Sequence, residues 1–190
     1  MALLILAGIA INVVAASLIG LLTYLATDSA LRHITFWSLG SLASANYFWL
    51  ILCSIALGMV CLWLPKQHRK LDAILLGQAE ANTMGVDVKR LQMQSIVFVA
   101  LLASLAVSAC GIIGFIGLVT PHIGRMLVGA SHRYLLPLSF FLGGSLLVIA
   151  DSLARTIIAP AELPIGIVTA LIGAPVFIWL LLREGRRLQW

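Results

Sequence analysis

Between residues 91 and 124 the chain runs 34 residues without an aspartate, glutamate, lysine or arginine, a length that decides what the chain can fold into. A helix needs about 20 apolar residues to cross the hydrocarbon core of a bilayer. The run is therefore too long for one crossing and too short for two full ones, and its interior must break. Gly111, Gly114, Gly117 and Pro121 crowd its second half, where glycine loosens a helix and proline removes a backbone donor. Residues 1–27, 34–65, 134–150 and 163–182 are equally free of charge. Only 10% of the chain is charged and 62% is hydrophobic, against about 25% charged in soluble domains, which excludes an ordinary soluble domain. An outer-membrane barrel is excluded too, because its strands alternate with period two whereas these runs are apolar on every face. The pattern is that of an all-α, polytopic integral membrane protein.

The net charge of +5 sits in or beside short connections between apolar runs, so it reads as membrane topology and not as a nucleic-acid surface. If the 91–124 run crossed once, the twelve basic residues would split six to six. If it crosses and returns, one side collects Lys66, Arg69, Lys70, Lys89, Arg90, Arg125, Arg133, Arg183, Arg186 and Arg187, leaving Arg32 and Arg155 on the other. Ten to two fixes an orientation. Six passes are predicted at about 2–26, 45–64, 91–112, 114–126, 134–152 and 163–183, with both termini cytoplasmic. The first run has no basic residue before it and is too long for the core of a signal peptide, so it reads as a spanning helix.

The fourth predicted pass covers about 13 residues, near 20 Å of helix against a core of about 30 Å. Such short segments survive where protein or a water-filled cavity satisfies the backbone, the usual setting of a transport path. In the last pass Pro160, Pro164, Gly166, Gly173 and Pro175 predict similar interruptions, with simple packing kinks as the alternative. Cys53, Cys61 and Cys110 lack metal-ligand or redox spacing and read as packing residues.

In the outer connection Asp28 or Ser29 can cap a short interfacial helix carrying Leu31, Ile34 and Phe36. Arg32 and His33, adjacent there, are a candidate outer contact for an anionic ligand, or a solvated interface pair. The longest polar stretch, residues 66–90, has its own apolar face of Leu71, Ile74, Leu75 and Leu76 and is expected to form short surface helices. On one helix Gly77, Ala81 and Gly85 would align at i, i+4 and i+8 as a bare stripe, suited either to docking another backbone closely or to packing on its own membrane domain. No nucleophile-base pair, no paired histidines and no Gly-x-x-x-x-Gly-Lys-Ser/Thr loop is present, so nucleotide energy would have to come from another polypeptide.

Three strings, LLGQAEANTMGVDVKR, GIIGFIGLVTPHIGRMLVG and ADSLARTIIAPAELPIGIVTALIGAPVFIWLLLR, closely resemble the FecCD family of ABC importer permeases for iron chelates, haem and cobalamin. The resemblance runs in order along essentially all 190 residues. It implies a single permease domain over 1–190, equivalent to the last six of the family's ten helices, with Met1 falling inside the family pattern. That position suggests a truncated product or fragment; a non-transporting remnant or membrane scaffold is the alternative to a working permease. It also implies a multi-pass protein of the bacterial inner membrane that is not an enzyme and carries no cofactor. The partners implied are two copies of an ABC ATPase, a periplasmic binding protein and a second permease subunit, as a homodimer.

Residue by residue, the resemblance assigns 66–90 to the coupling helices, with Leu76, Gly77, Ala81 and Gly85 facing the ATPase; Gln78 and Asn82 stand where the family more often has an acidic and a basic residue. Arg155 falls where the family docks a carboxylate of the binding protein, although a lone arginine there would also suit snorkelling to headgroups. Gly114, Gly117 and Pro121 join Arg32 and His33 as the candidate substrate path or outer contact. Haem is the expected substrate, with ferric siderophores next and cobalamin last.

Overall fold

The computed structural model describes residues 2–43, 45–158, 161 and 163–187. All regular secondary structure among them is helical: α1 (Ala2–Tyr24), α2 (Asp28–Ser38), α3 (Tyr47–Ile74), α4 (Gln78–Thr83), α5 (Val88–Cys110), α6 (Ile116–Val128), α7 (His132–Ile157) and α8 (Ile165–Arg187). Residues 1–38 and 39–190 form two compact units.

In the first unit, α1 is apolar but for Asn12 and three hydroxyl residues, of which Ser17 donates to the Val13 carbonyl and Thr23 to that of Ile19. Such back-bonding lets a hydroxyl sit in an apolar helix without an unpaired donor. The short helix expected after it is present as α2, starting at Asp28, itself one of the two predicted caps, so that Thr27 takes the capping position. The Thr27 carbonyl accepts the first helical bond, from Leu31 N–H at 2.8 Å, and Asp28 occupies the first turn, where its charge favours the helix dipole.

In the second unit, α3 begins where the Asn46 side chain accepts from Trp49 N–H and continues through Pro65 to Ile74. The predicted end at residue 64 is thus corrected. Proline costs one helical hydrogen bond, which neighbouring structure compensates in membrane helices, so the first part of the 66–90 stretch is a rigid extension of the membrane helix. Only α4 is a separate short helix. The predicted break inside 91–124 is present: α5 ends at Cys110, Gly111 turns left-handed at φ 74°, and Phe115 caps α6 at φ 66°. The last pass is corrected in the other direction. α8 runs unbroken through Gly166, Gly173 and Pro175, Pro164 precedes it, and Pro160 lies outside the described residues.

The glycines of α8 admit neighbours. A side chain at Gly173 would collide with Phe115 Cβ, and one at Gly166 with the Leu39 and Ile112 carbonyls. Three backbone segments meet here: Ser41 N–H donates to Cys110 O at 2.8 Å, Gly166 N–H donates to Leu39 O at 3.1 Å, and Gly40 lies against Ile112 O. Helices α6 and α7 pack closely through Gly124 and Gly143, where a Cβ would stand 2.9 Å from Leu135 Cδ1 and 3.6 Å from Ile116 Cγ2. Small residues that let backbones approach are the usual device for joining helices in lipid. Ala150, Ala154, Ile165 and Val168 form the buried cluster beside the three-segment junction.

Gly40 combines φ 74° with a Cβ position 2.6 Å from Ile112 O. Gly40→Ala is therefore expected to lower stability by about 1–3 kcal/mol, read as a drop in the unfolding midpoint in detergent. Gly58→Ala, where nothing lies within 4 Å, should not lower it.

Candidate functional site

The candidate residues fall in four places, of which the polar end of α3 is the most completely built. There α3 ends, α4 crosses and α5 starts. Asp87 caps α5 by accepting from Arg90 N–H at 3.0 Å. Ala81, Val86, Val88 and Leu91 are buried together, with Trp63, Leu71, Ala73 and Ile74 packed against them. Lys66, Arg69, Lys70, Lys89 and Arg90 are exposed around this corner.

The predicted stripe does not exist as one helix face. α4 is six residues long, so Gly77 and Gly85 lie outside it. Gly77 is its N-cap at φ 125°, and Gly85 follows it at φ 79°. Both are glycine because the chain turns left-handed there. Ala81, fully buried against its own domain, faces inward; the self-packing alternative describes it. What the corner presents outward is Leu75, Leu76 and Met84, at 50%, 63% and 62% exposure.

A cross-helix contact that no local pattern announces closes the corner. Asp72 Oδ1 accepts from the backbone N–H of His132 and from its Nδ1, both at 2.7 Å, and Oδ2 accepts from Ser131 Oγ at 3.1 Å. An ionised carboxylate only accepts, so Nδ1 carries the proton. Partial burial opposes ionisation of Asp72, but the bonds from His132 and Ser131 outweigh it and hold its carboxyl below the ordinary value. A depressed folded value means that this contribution to stability is complete above the unfolded pKa of about 3.9 and is lost as pH falls through the lower folded value. The contact thus persists throughout the neutral range.

The second place is the broken helix. Gly114 is half-buried in the unwound stretch, Gly117 is exposed in the first turn of α6, and Pro121 is half-buried within it. Thr120, beside Pro121, is buried and donates to Ile116 O. Helices α6, α7 and α8 line a half-open apolar cavity of about 190 Å³ bordered by Phe115, Ile116, Val119, Ala150, Thr169 and Gly173 among others.

The third is Arg155, in the last turn of α7. It is not a lone arginine: its Nε donates to Asp151 Oδ2 at 2.8 Å, one turn back on the same helix. The i, i+4 spacing of opposite charges was the readable sign of this pair. The fourth is α2, where Arg32 and His33 are both exposed. It belongs to the first unit. Among the described residues no group of three or more His, Cys, Asp or Glu side chains is placed to hold a metal ion.

Helices α1, α3, α5 and α7 are each long and apolar enough to cross a membrane, with α6 and the apolar stretch Ile165–Leu180 of α8 shorter. Together with the broken helix, they define a multi-pass membrane protein of transporter type. The FecCD transport family model matches residues 1–183. The chain belongs to that family. It is 45% identical over 181 residues to the Hemin transport system permease protein HmuU of Yersinia pestis, covering 95% of this chain and 54% of that protein. It is 40% identical over 181 residues, with the same two coverages, to the Vitamin B12 import system permease protein BtuC of Vibrio vulnificus. A solved structure described as a metal-chelate type ABC transporter in an inward-facing conformation superposes with a TM-score of 0.86 at 34% identity, over 93% of this chain and 57% of that one. The chain spans about half the length of the curated relatives it matches.

The inward orientation of Ala81 has a direct consequence. Ala81→Leu should overpack its cluster and destabilise the corner by about 1–3 kcal/mol. Faster amide hydrogen exchange over residues 78–91, with no other protein present, checks this; unchanged exchange would mean that position 81 faces outward.

Proposed function

We propose that this chain is the permease portion of a binding-protein-dependent ABC importer, translocating an iron chelate across the bacterial inner membrane while a separate ATPase supplies energy. The observation that carries this reading is the unbroken family match over residues 1–183. On the resemblance, two ATPase subunits bind the polar corner, a binding protein docks on the opposite face, and a second permease copy completes the path. The substrate proposed is haem, supported by the higher identity to the hemin permease; the vitamin B12 permeases at 40% and 39% identity favour cobalamin as the second reading.

The corner's part in coupling is carried by Leu76 and its exposed neighbours Leu75 and Met84, with Gly77 and Gly85 shaping the turns that present them. Ala81 supports that surface from beneath. Gly114, Gly117 and Pro121 are proposed to keep α6 short enough to border a path, and Arg32 and His33, in the first unit, to attract an anionic substrate on the outer side of the membrane. Arg155 is proposed to meet a carboxylate of the binding protein, with Asp151 holding the guanidinium in place.

The complete permease, reconstituted with its ATPase and binding protein, tests the reading. Accumulation of haem in proteoliposomes, dependent on ATP, is the expected result. ATP-driven uptake of cobalamin without haem would overturn the substrate, and uptake of neither would overturn the transport function. Cysteine accessibility tests the orientation proposed from the charge count: positions 70, 133 and 187 should label from the cytoplasm, and positions 29 and 161 from outside. Labelling of position 133 from outside would overturn the six-pass topology.

Arg155→Gln should slow association of the binding protein by up to about five-fold at low ionic strength, the range for one exposed ion pair, and by less as salt screens it. The variant should leave ATPase assembly intact. Association at the wild-type rate in low salt would remove Arg155 from the docking surface.

A further inference from the structure

Helix α7 borrows its N-terminal cap from a residue 60 positions away. Its own N-cap residue, Ser131, makes no capping bond with its side chain. That hydroxyl donates instead to Asp72 Oδ2 at 3.1 Å, while Asp72 Oδ1 takes up the His132 backbone N–H and Nδ1, each at 2.7 Å. Free helical N–H groups are ordinarily satisfied by a side chain next to them in sequence. Here the acceptor is mounted on α3, two residues before that helix ends, and leads directly into Leu75, Leu76 and α4.

We infer that the Asp72–Ser131–His132 junction is a strut that makes the polar corner and the start of α7 move as one body, so that Asp72 is a positioning residue for coupled transport. This rests on the reading of the corner as the ATPase-facing surface. Three hydrogen bonds from two consecutive residues fix a direction as well as a distance, because one comes from the backbone of α7 itself. A displacement of α4 and the end of α3 therefore carries residues 131–132 with it. From there the path is short. α7 packs on α6 where Leu135 and Ser139 rest on Gly124 and where Ile116 and Thr120 rest on Gly143, and both helices line the apolar cavity. The junction is charge-assisted, which makes its bonds stronger than neutral ones, and partly buried, with side-chain exposures of 16% for His132 and 33% for Asp72.

A plain capping role and a strut are separable. Asp72→Ala removes both. Adding Ser131→Asp returns a cap to α7 from its own N-cap position without restoring any link to α3. In the complete importer in proteoliposomes, with the haem-loaded binding protein as first probe and the cobalamin-loaded one as second, the quantity read is substrate taken up per ATP hydrolysed.

The expected result is a fall of at least about five-fold in that ratio for Asp72→Ala, the lower end of coupling between distant sites. ATPase co-purification and basal hydrolysis should remain at wild-type levels. The double variant should recover the unfolding midpoint while its ratio stays low. A ratio restored by Ser131→Asp, or unaltered in Asp72→Ala, overturns the strut. If neither Asp72 variant assembles, His132→Ala, which leaves the backbone cap and deletes one bond, is read the same way: a reduced ratio supports the strut and a wild-type ratio overturns it. Failure of the wild-type complex to transport either probe would sink the transport reading itself, whereas a transporting wild type matched by its variants sinks the strut alone.

Discussion

At membrane depth an unwound backbone has no water to satisfy it, and that constraint organises the second unit. The break between α5 and α6 frees carbonyls at Cys110 and Ile112. One is met by Ser41 N–H, and the other lies against Gly40 and Gly166, whose missing side chains let the backbones approach. The loop before α3, the end of α5 and the start of α8 are thereby fastened together by main-chain groups. An unpaired polar group in hydrocarbon costs several kcal/mol, so the bonds from Ser41 N–H to Cys110 O and from Gly166 N–H to Leu39 O offset part of what the break exposes. Phe115, whose left-handed conformation opens α6, seats itself on Gly173, and the cavity lies next to that contact.

The break was legible because charge and length state it directly: 34 uncharged residues cannot be one helix, and glycine marks where the chain turns. The six long or short apolar helices follow from the same count. The stretch 66–90 was less legible, since proline and a cluster of basic residues suggested an end where α3 continues. Rigidity through Pro65 depends on packing supplied by Trp63, Leu71 and Ile74 against α5 residues, with the Trp63 and Phe98 rings 4.9 Å apart. No window along the sequence contains those partners.

Periodicity also misplaced Gly77, Ala81 and Gly85. Equal spacing makes a stripe only if one helix spans all three, and the positive φ of the two glycines excludes that. Their sequence signature was turn chemistry more than helix-face chemistry. The Asp72 contact had no signature at all, because a hydrogen bond across 60 residues leaves no trace in local composition. Asp151 and Arg155 show the opposite case, a pair whose spacing alone predicts it.

The continuity of α3 has a geometric consequence. Its 28 residues make a rod about 42 Å long at 1.5 Å per residue, roughly 12 Å more than the hydrocarbon core. A rod of that length magnifies small rotations: a change in tilt of about 10°, well inside the range membrane helices adopt, swings its far end by about 7 Å. Bilayer thickness, which bears on the tilt of a spanning helix, therefore also bears on where Asp72 and the turn after it stand relative to the membrane surface.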